Sequence, residues 1–263
     1  MRFLMCRPDY YGIEYEINPW MNVKHKADRL LAIAQWEELV ETMQDCGAQI
    51  ELIEGEQGWP DMVFTANAGL YYHSQIILPH FKFKQRQGEL PYFIEWFKIN
   101  GFSIPNEITP ESHHFEGAGD ALLAGDLLFV GYGFRSDKVF YEKASYLNQE
   151  KLVYCELVNP YYYHIDTCFC PLNDKIAIWY PHAFTIHTQE IMKNKIKLLE
   201  VIENEAKHFA CNAVVIENHI IIPTGSPTLS QTLEDQGLTV HALNMSEFIK
   251  AGGACKCLTL RID

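Results

Sequence analysis

The chain has 263 residues, and its apolar fraction of 48 % is ample for a packed core, with no composition that signals disorder. Its 21 Lys and Arg stand against 34 Asp and Glu, a formal net charge of −13 without any basic cluster. Phosphate neutralisation supplies most non-specific nucleic-acid affinity, so that partner class is excluded. A membrane span is excluded too, because the longest apolar stretch, Ala121 to Tyr132, is short and broken by Gly125 and Asp126.

The opening segment, Met1 to Pro8, lacks the apolar core and small-residue cleavage site of a signal peptide, so a cytoplasmic protein is expected. Its eight cysteines are then expected as reduced thiols. Residues 28 to 46 read as an amphipathic helix with Leu30, Ile33, Ala34, Leu39, Val40 and Met43 on one side and Gly47 as the stop. A strand follows over Ala48 to Ile53. Strand-like apolar runs cover Met62 to Tyr72, Ala121 to Val130, Thr167 to Leu172, Asn212 to Ile222 and Cys257 to Ile262. A second long helix is expected over Thr188 to His208, and a short one over Ser246 to Ala251, with Ser246 as N-cap and Gly252-Gly253 as its end. Val63, Asp120, Thr167, Asn212 and Cys257 mark the starts of the runs at intervals of about 45 to 57 residues, the signature of an arrayed fold. No linker interrupts the array, so residues 1–263 are expected to form a single domain.

Four segments carry chemistry. In Gly252-Gly253-Ala254-Cys255-Lys256-Cys257-Leu258-Thr259-Leu260, a glycine pair precedes a thiol at the start of an apolar strand, a rigid mount for a nucleophile or simply a small core residue. In His164-Ile165-Asp166-Thr167, period-two alternation places a histidine and a carboxylate on one face, as a general acid/base and its orienter require. Phe115-Glu116-Gly117-Ala118-Gly119-Asp120 sets two carboxylates around a glycine bend, which suits the planar fork of a guanidinium but is also ordinary turn chemistry. Asp61-Met62-Val63-Phe64-Thr65-Ala66-Asn67-Ala68-Gly69-Leu70 holds an amide, Asn67, where an apolar strand pauses, either a turn-former or a ligand for a polar substrate. The Cys168/Cys170 and Cys255/Cys257 pairs lack zinc-ligand spacing, so no metal and no cofactor is expected.

In this order, FTANAG, FEGAGD, HID and GG with a cysteine before LTL resemble the guanidine-modifying (pentein) superfamily along the whole chain. Ile17-Asn18-Pro19-Trp20-Met21, Arg86-Gln87-Gly88-Glu89 and Asn67 itself are most similar to the arginine dihydrolase domains of cyanobacteria. The resemblance implies an α/β fold, a five-bladed propeller of pseudo-fivefold ββαβ repeats, and hydrolysis of arginine to ornithine, carbon dioxide and two ammonia. Dimethylarginine dimethylaminohydrolase or arginine deiminase chemistry is the alternative, and an inert guanidinium-binding member of the fold is the rival outside catalysis. Carried over by residue, Cys257 is the nucleophile, His164 the general acid/base, and Glu116 and Asp166 the grip on the guanidinium. Asn18, Asn67, Arg86, Asp120 and Arg135 are the remaining substrate contacts, with Arg86 or Arg135 for the α-carboxylate. The implied partner is a small molecule, arginine or a methylated arginine; a homo-oligomer is left open.

Overall fold

The structure, a computed structural model, describes residues 1–105 and 113–263. It is built from five small sheets, taken in turn along the chain. β1 (Arg2–Cys6) is followed by α1 (Arg29–Asp45) and then β2 (Gln49–Ile53), which pairs parallel to β1. β3 (Leu70–Tyr72) and β4 (Gln75–Ile77) form an antiparallel hairpin, trailed by α2 (Lys84–Gln87) and α3 (Leu90–Ile99), and Ser103 bridges back to Gln75 in parallel.

The next three units repeat one pattern: an antiparallel hairpin, a helix, then a strand parallel to the second hairpin strand. They are β5 (Ala121–Ala124), β6 (Leu127–Tyr132), α4 (Lys138–Lys143) and β7 (Leu152–Glu156); β8 (Phe169–Pro171), β9 (Ile176–Trp179), α5 (Ile186–Lys193) and β10 (Lys197–Glu200); and, after α6 (Glu203–Ala206), β11 (Val214–Ile216), β12 (His219–Pro223), α7 (Pro227–Asp235) and β13 (Thr239–Leu243). After α8 (Ser246–Ile249), β14 (Leu260–Arg261) pairs antiparallel to β1 and supplies the missing hairpin strand of the first unit. The expected five ββαβ repeats are therefore present, closed into a ring.

The helix expected over 28 to 46 forms, capped by the Asp28 carboxylate, which accepts from the Leu30 and Leu31 N–H groups. Its buried face is Ala32, Gln35, Trp36, Leu39 and Met43, whereas Leu30 is 80 % exposed, so the apolar face is turned from the one read in the sequence. Burying side chains such as Trp36 and Leu39 contributes about 1.5–3 kcal/mol each.

Other expectations need correction. The single helix over Thr188 to His208 does not form: α5 stops at Lys193, and Lys197–Glu200 turns extended to pair with β9. Backbone pairing that completes a sheet overrides a helical spacing of apolar residues, and Ile202, assigned to the buried side, is 49 % exposed. Met62 to Tyr72 is mostly two tight 3-10 turns, Pro60–Val63 and Thr65–Ala68, with strand only from Leu70. Cys257 sits in a turn, and the last strand begins at Leu260. Ser246 opens α8 without capping it; the Ser246 N–H donates to Asn244 Oδ1 instead. Among the described residues no helix is long and apolar enough to cross a membrane.

Candidate active site

The repeat explains where the polar residues gather. Ahead of each hairpin's first strand the backbone makes a tight turn: Thr65–Ala68 before β3, Gly117–Gly119 before β5, Ile165–Thr167 before β8, residues 207–211 before β11 and 255–258 before β14. The residues marking the sequence period lie in or beside these turns. A tight turn exposes backbone and side chain at one end of a sheet, and the ring brings the turns together. Gly117 shows how closely: it has φ +66°, and a Cβ there would stand 2.8 Å from the Ala66 and Gly69 carbonyl oxygens.

Cys257 lies on the last of these turns, 5 % exposed. The Asn212 Nδ2 group donates to its Sγ at 3.1 Å, and the Sγ lies 3.5 Å and 3.7 Å from the two Asp166 carboxylate oxygens. Asn212 also fixes the turn itself, since its Oδ1 accepts from the Ala254 and Cys257 N–H groups. Burial, then the nearby Asp166 charge, push the Cys257 thiol well above its ordinary value. Burial likewise raises Asp166 to about 7, against the opposing pull of Lys256 and of the Cys257 and Asn212 hydrogen bonds. The thiol is the donor in this contact.

Across the site, His164 Nε2 is 2.8 Å from Glu116 Oε2, and Arg135 Nη1 donates to the same oxygen at 2.8 Å. Burial alone would raise Glu116, but Arg135 and then His164 overcome it and hold the carboxyl well below its ordinary range. The Arg135 guanidinium is stacked between Phe83 and Tyr163, 4.7 Å and 4.5 Å from the ring centres, and donates to the Ile17 carbonyl. Asp120 stands behind. It accepts from Ser136 Oγ at 2.6 Å and from the Ile165 N–H, and burial raises it to about 6 despite the His164 charge. His164 and Asp166 do not share a partner: the chain enters a 3-10 turn at Ile165, so the alternation expected of a strand is lost. Glu116, not Asp166, is the carboxylate that orients His164.

The third group centres on Asn67. Its Oδ1 accepts from Arg86 Nη1 at 2.7 Å and its Nδ2 donates to the Glu116 carbonyl at 2.7 Å. Arg86 is bidentate to Glu89 and also donates to the Asp61 carbonyl, which leaves one of its five N–H groups without a partner among the described residues. Arg135 retains three and is the better placed to meet a carboxylate. Asn18 ties the loop 17–21 to Ala251: its Nδ2 donates to the Ala251 carbonyl while its Oδ1 accepts from Trp20 and Met21.

Asn18, Asn67, Arg86, Arg135, His164 and Cys257 all line one narrow cleft of about 10 Å³, whereas Glu116, Asp120 and Asp166 are buried behind its walls. That volume is about one water molecule. The far larger cavity, about 570 Å³, is lined by Leu70, Leu122, Cys170, Val214 and Leu260, one residue from the first hairpin strand of each sheet. It is the axial space of the ring and contains none of the site residues.

Three contributors escaped the sequence reading. Asn212 lies in no motif, although it marked the start of a repeat. Glu89 neutralises Arg86 from three residues on. Asp61 stands just ahead of the FTANAG run, 2 % exposed, and lines the cleft; burial raises its pKa against the pull of Arg86 and of the neighbouring Tyr15 hydroxyl. Of the Cys168/Cys170 pair, Cys168 donates to the His164 and Ile165 carbonyls and Cys170 to that of Ala213.

Known proteins share this architecture. The chain is 43 % identical over its whole length to the bifunctional arginine dihydrolase/ornithine cyclodeaminase ArgZ of Synechocystis sp., of which it spans 38 %. It is 34 % identical to an N(G),N(G)-dimethylarginine dimethylaminohydrolase of Mycobacterium tuberculosis, matching 99 % of this chain and 85 % of that protein. The crystal structure of the N-terminal domain of cyanobacterial ArgZ, a cysteine-to-serine variant bound to substrate, superimposes with a TM-score of 0.94 at 42 % identity, covering 99 % of this chain and 97 % of that one. The family model for N,N dimethylarginine dimethylhydrolase, eukaryotic, matches residues 9–263, and the chain belongs to that family.

Proposed function

We propose that this chain is a cysteine-dependent hydrolase that converts arginine to ornithine, carbon dioxide and two ammonia, with residues 1–263 acting as one catalytic domain. The observation that carries the reading is the pairing within one cleft of a thiol held by Asn212 and Asp166 with a histidine held by Glu116. A guanidinium entering between these walls brings positive charge to the Cys257–Asp166 pair and favours the thiolate. The thiolate adds to the guanidinium carbon, His164 protonates the departing ammonia, and a covalent thiouronium remains. Water activated by His164 displaces the sulfur and gives citrulline. In the second round the thiolate adds to the ureido carbon and expels the second ammonia. Hydrolysis of the resulting S-carbamoyl group leaves a carbamate that loses carbon dioxide.

The second round requires a site that accepts a neutral ureido group. Asn67 suits it, because an amide hydrogen-bonds both a cation and a neutral group. Asp61, a buried carboxyl on the cleft, suits a cationic end of the substrate. The crystallised ArgZ domain is described as an arginine dihydrolase, and an asparagine-to-serine variant of it was captured covalently bound to a reaction intermediate. The 34 % identity to a dimethylaminohydrolase favours a second reading, expulsion of dimethylamine from dimethylarginine. Product analysis decides between them: purified protein given arginine should yield ornithine and two equivalents of ammonia. Citrulline as the sole product, or turnover of dimethylarginine but not arginine, overturns the dihydrolase reading.

A further inference from the structure

Away from the cleft, the fold brings together three residues that no sequence spacing connects. Cys46 is the residue that ends α1, His219 opens β12 and His241 lies on β13. Ile221 pairs with His241 and His219 with Thr239, so the two histidines are diagonal neighbours on one face of that sheet, and α1 packs over it. His241 Nε2 is 3.5 Å from Cys46 Sγ and 3.0 Å from His219 Nδ1, and the three atoms lie within 4.8 Å of one another. Zinc bonds of about 2.3 Å to sulfur and 2.0–2.1 Å to nitrogen, at a tetrahedral angle, require S···N and N···N edges of about 3.5 Å and 3.3 Å. The two edges at His241 already stand within a few tenths of an ångström of those values, and the third, between Cys46 and His219, is at most 4.8 Å and closes by a small side-chain movement.

We propose that Cys46, His219 and His241 form a binding site for a divalent ion of the zinc class, separate from the substrate cleft, with water as the fourth ligand. The donor set decides the class of metal: one thiolate and two imidazoles suit zinc and its neighbours, and reject magnesium or calcium, which take oxygen ligands. Cys46 is buried while both histidines are partly exposed, so the open side of the site faces solvent. A bound ion would tie the end of α1, in the first unit, to β12 and β13 in the fifth.

Cobalt(II) and zinc(II) titrations of the Cys257→Ser protein test this, because that background removes the thiol of the substrate cleft. One equivalent of cobalt should bind with a thiolate charge-transfer band, and zinc should raise the melting temperature by several degrees. Adding Cys46→Ser should abolish the band, and adding His241→Ala or His219→Ala should weaken binding at least tenfold. Each histidine variant carries the test if Cys46→Ser fails to fold. With Cys257 intact, Cys46→Ser should turn over arginine at the wild-type rate in the absence of added metal. Failure of cobalt to bind, or binding that survives Cys46→Ser unchanged, overturns the site and leaves the trio a hydrogen-bonded cluster.

Discussion

The two walls of the cleft treat charge in opposite ways. On the His164 side, one carboxylate is shared by a guanidinium and an imidazole, and Glu116 stays ionised far below its ordinary range. On the Cys257 side, the carboxyl meets a thiol, the Asn212 amide and the more distant pull of Lys256, and burial still raises Asp166 to about 7. Both carboxylates are equally buried, so the difference comes from their partners rather than from depth. A wall with a committed negative charge can steady an imidazole through a proton transfer. A wall with a proton in balance can release a thiolate when a cation arrives.

The largest effect should come from removing the proposed nucleophile. Cys257→Ser is expected to lower turnover by at least about four orders of magnitude with the fold retained, read by kcat and circular dichroism. Inactivation by Cys255→Ser with Cys257→Ser still active would move the nucleophile by two residues. Next, Glu116→Gln leaves the buried Arg135 charge uncompensated and should cost about 3–5 kcal/mol of stability by urea denaturation, together with most activity.

The walls should also separate by pH. Asp166 has a folded value of about 7 against an ordinary 3.8, so its stabilisation is present below pH 3.8 and is lost as pH rises towards 7. Asp166→Asn removes that loss, and the stability of wild type minus variant should fall between about pH 4 and pH 7. Glu116 has the opposite sign: its contribution is present above its ordinary value of 4.5 and lost as pH falls, so Glu116→Gln should flatten the acid limb. Parallel profiles for the two variants would refute the contrast between the walls.

A smaller effect is expected at Asn67, which lies between the groups. Asn67→Asp sets a carboxylate oxygen against the Glu116 carbonyl, which now accepts from the amide at 2.7 Å, and offers a charge to a substrate that is neutral in the second round. The second hydrolysis should slow by about one to two decades, for a loss of roughly 1.5–3 kcal/mol, and citrulline should accumulate. Chelation should leave turnover of arginine unchanged, because no described residue of the cleft belongs to the metal-ligand trio. Lost activity restored by zinc would mean that a metal serves the reaction.

How far the sequence reaches is clearest in these same residues. Cys257, His164, Glu116 and Asn67 stand in short segments whose turn chemistry shows locally, and the ring gathers the segments that the period separates. Asn212 escaped because an asparagine before an apolar run is an ordinary turn former, and its role depends on a cysteine 45 residues further on. The Arg86–Glu89 pair escaped in a different way: both residues were visible, but their mutual neutralisation exists only once they are buried. The 188–208 segment misled because Lys197–Glu200 is extended only through its neighbour β9, a preference that its own residues do not encode.

The pairing of β14 with β1 has a consequence for how activity is acquired. Leu4 lies opposite Leu260, so the contact that seats the Cys257 turn joins segments almost as distant along the chain as this sequence allows. Joining distant segments has a loop-closure entropy that local hairpins avoid, and such contacts slow folding. The other four sheets draw their strands from single continuous stretches and can form first. A folding chain would therefore hold its histidine, carboxylates and asparagines in near-final turns before the thiol arrives. Activity should appear late in refolding, in step with the last seam and not with the gain of secondary structure.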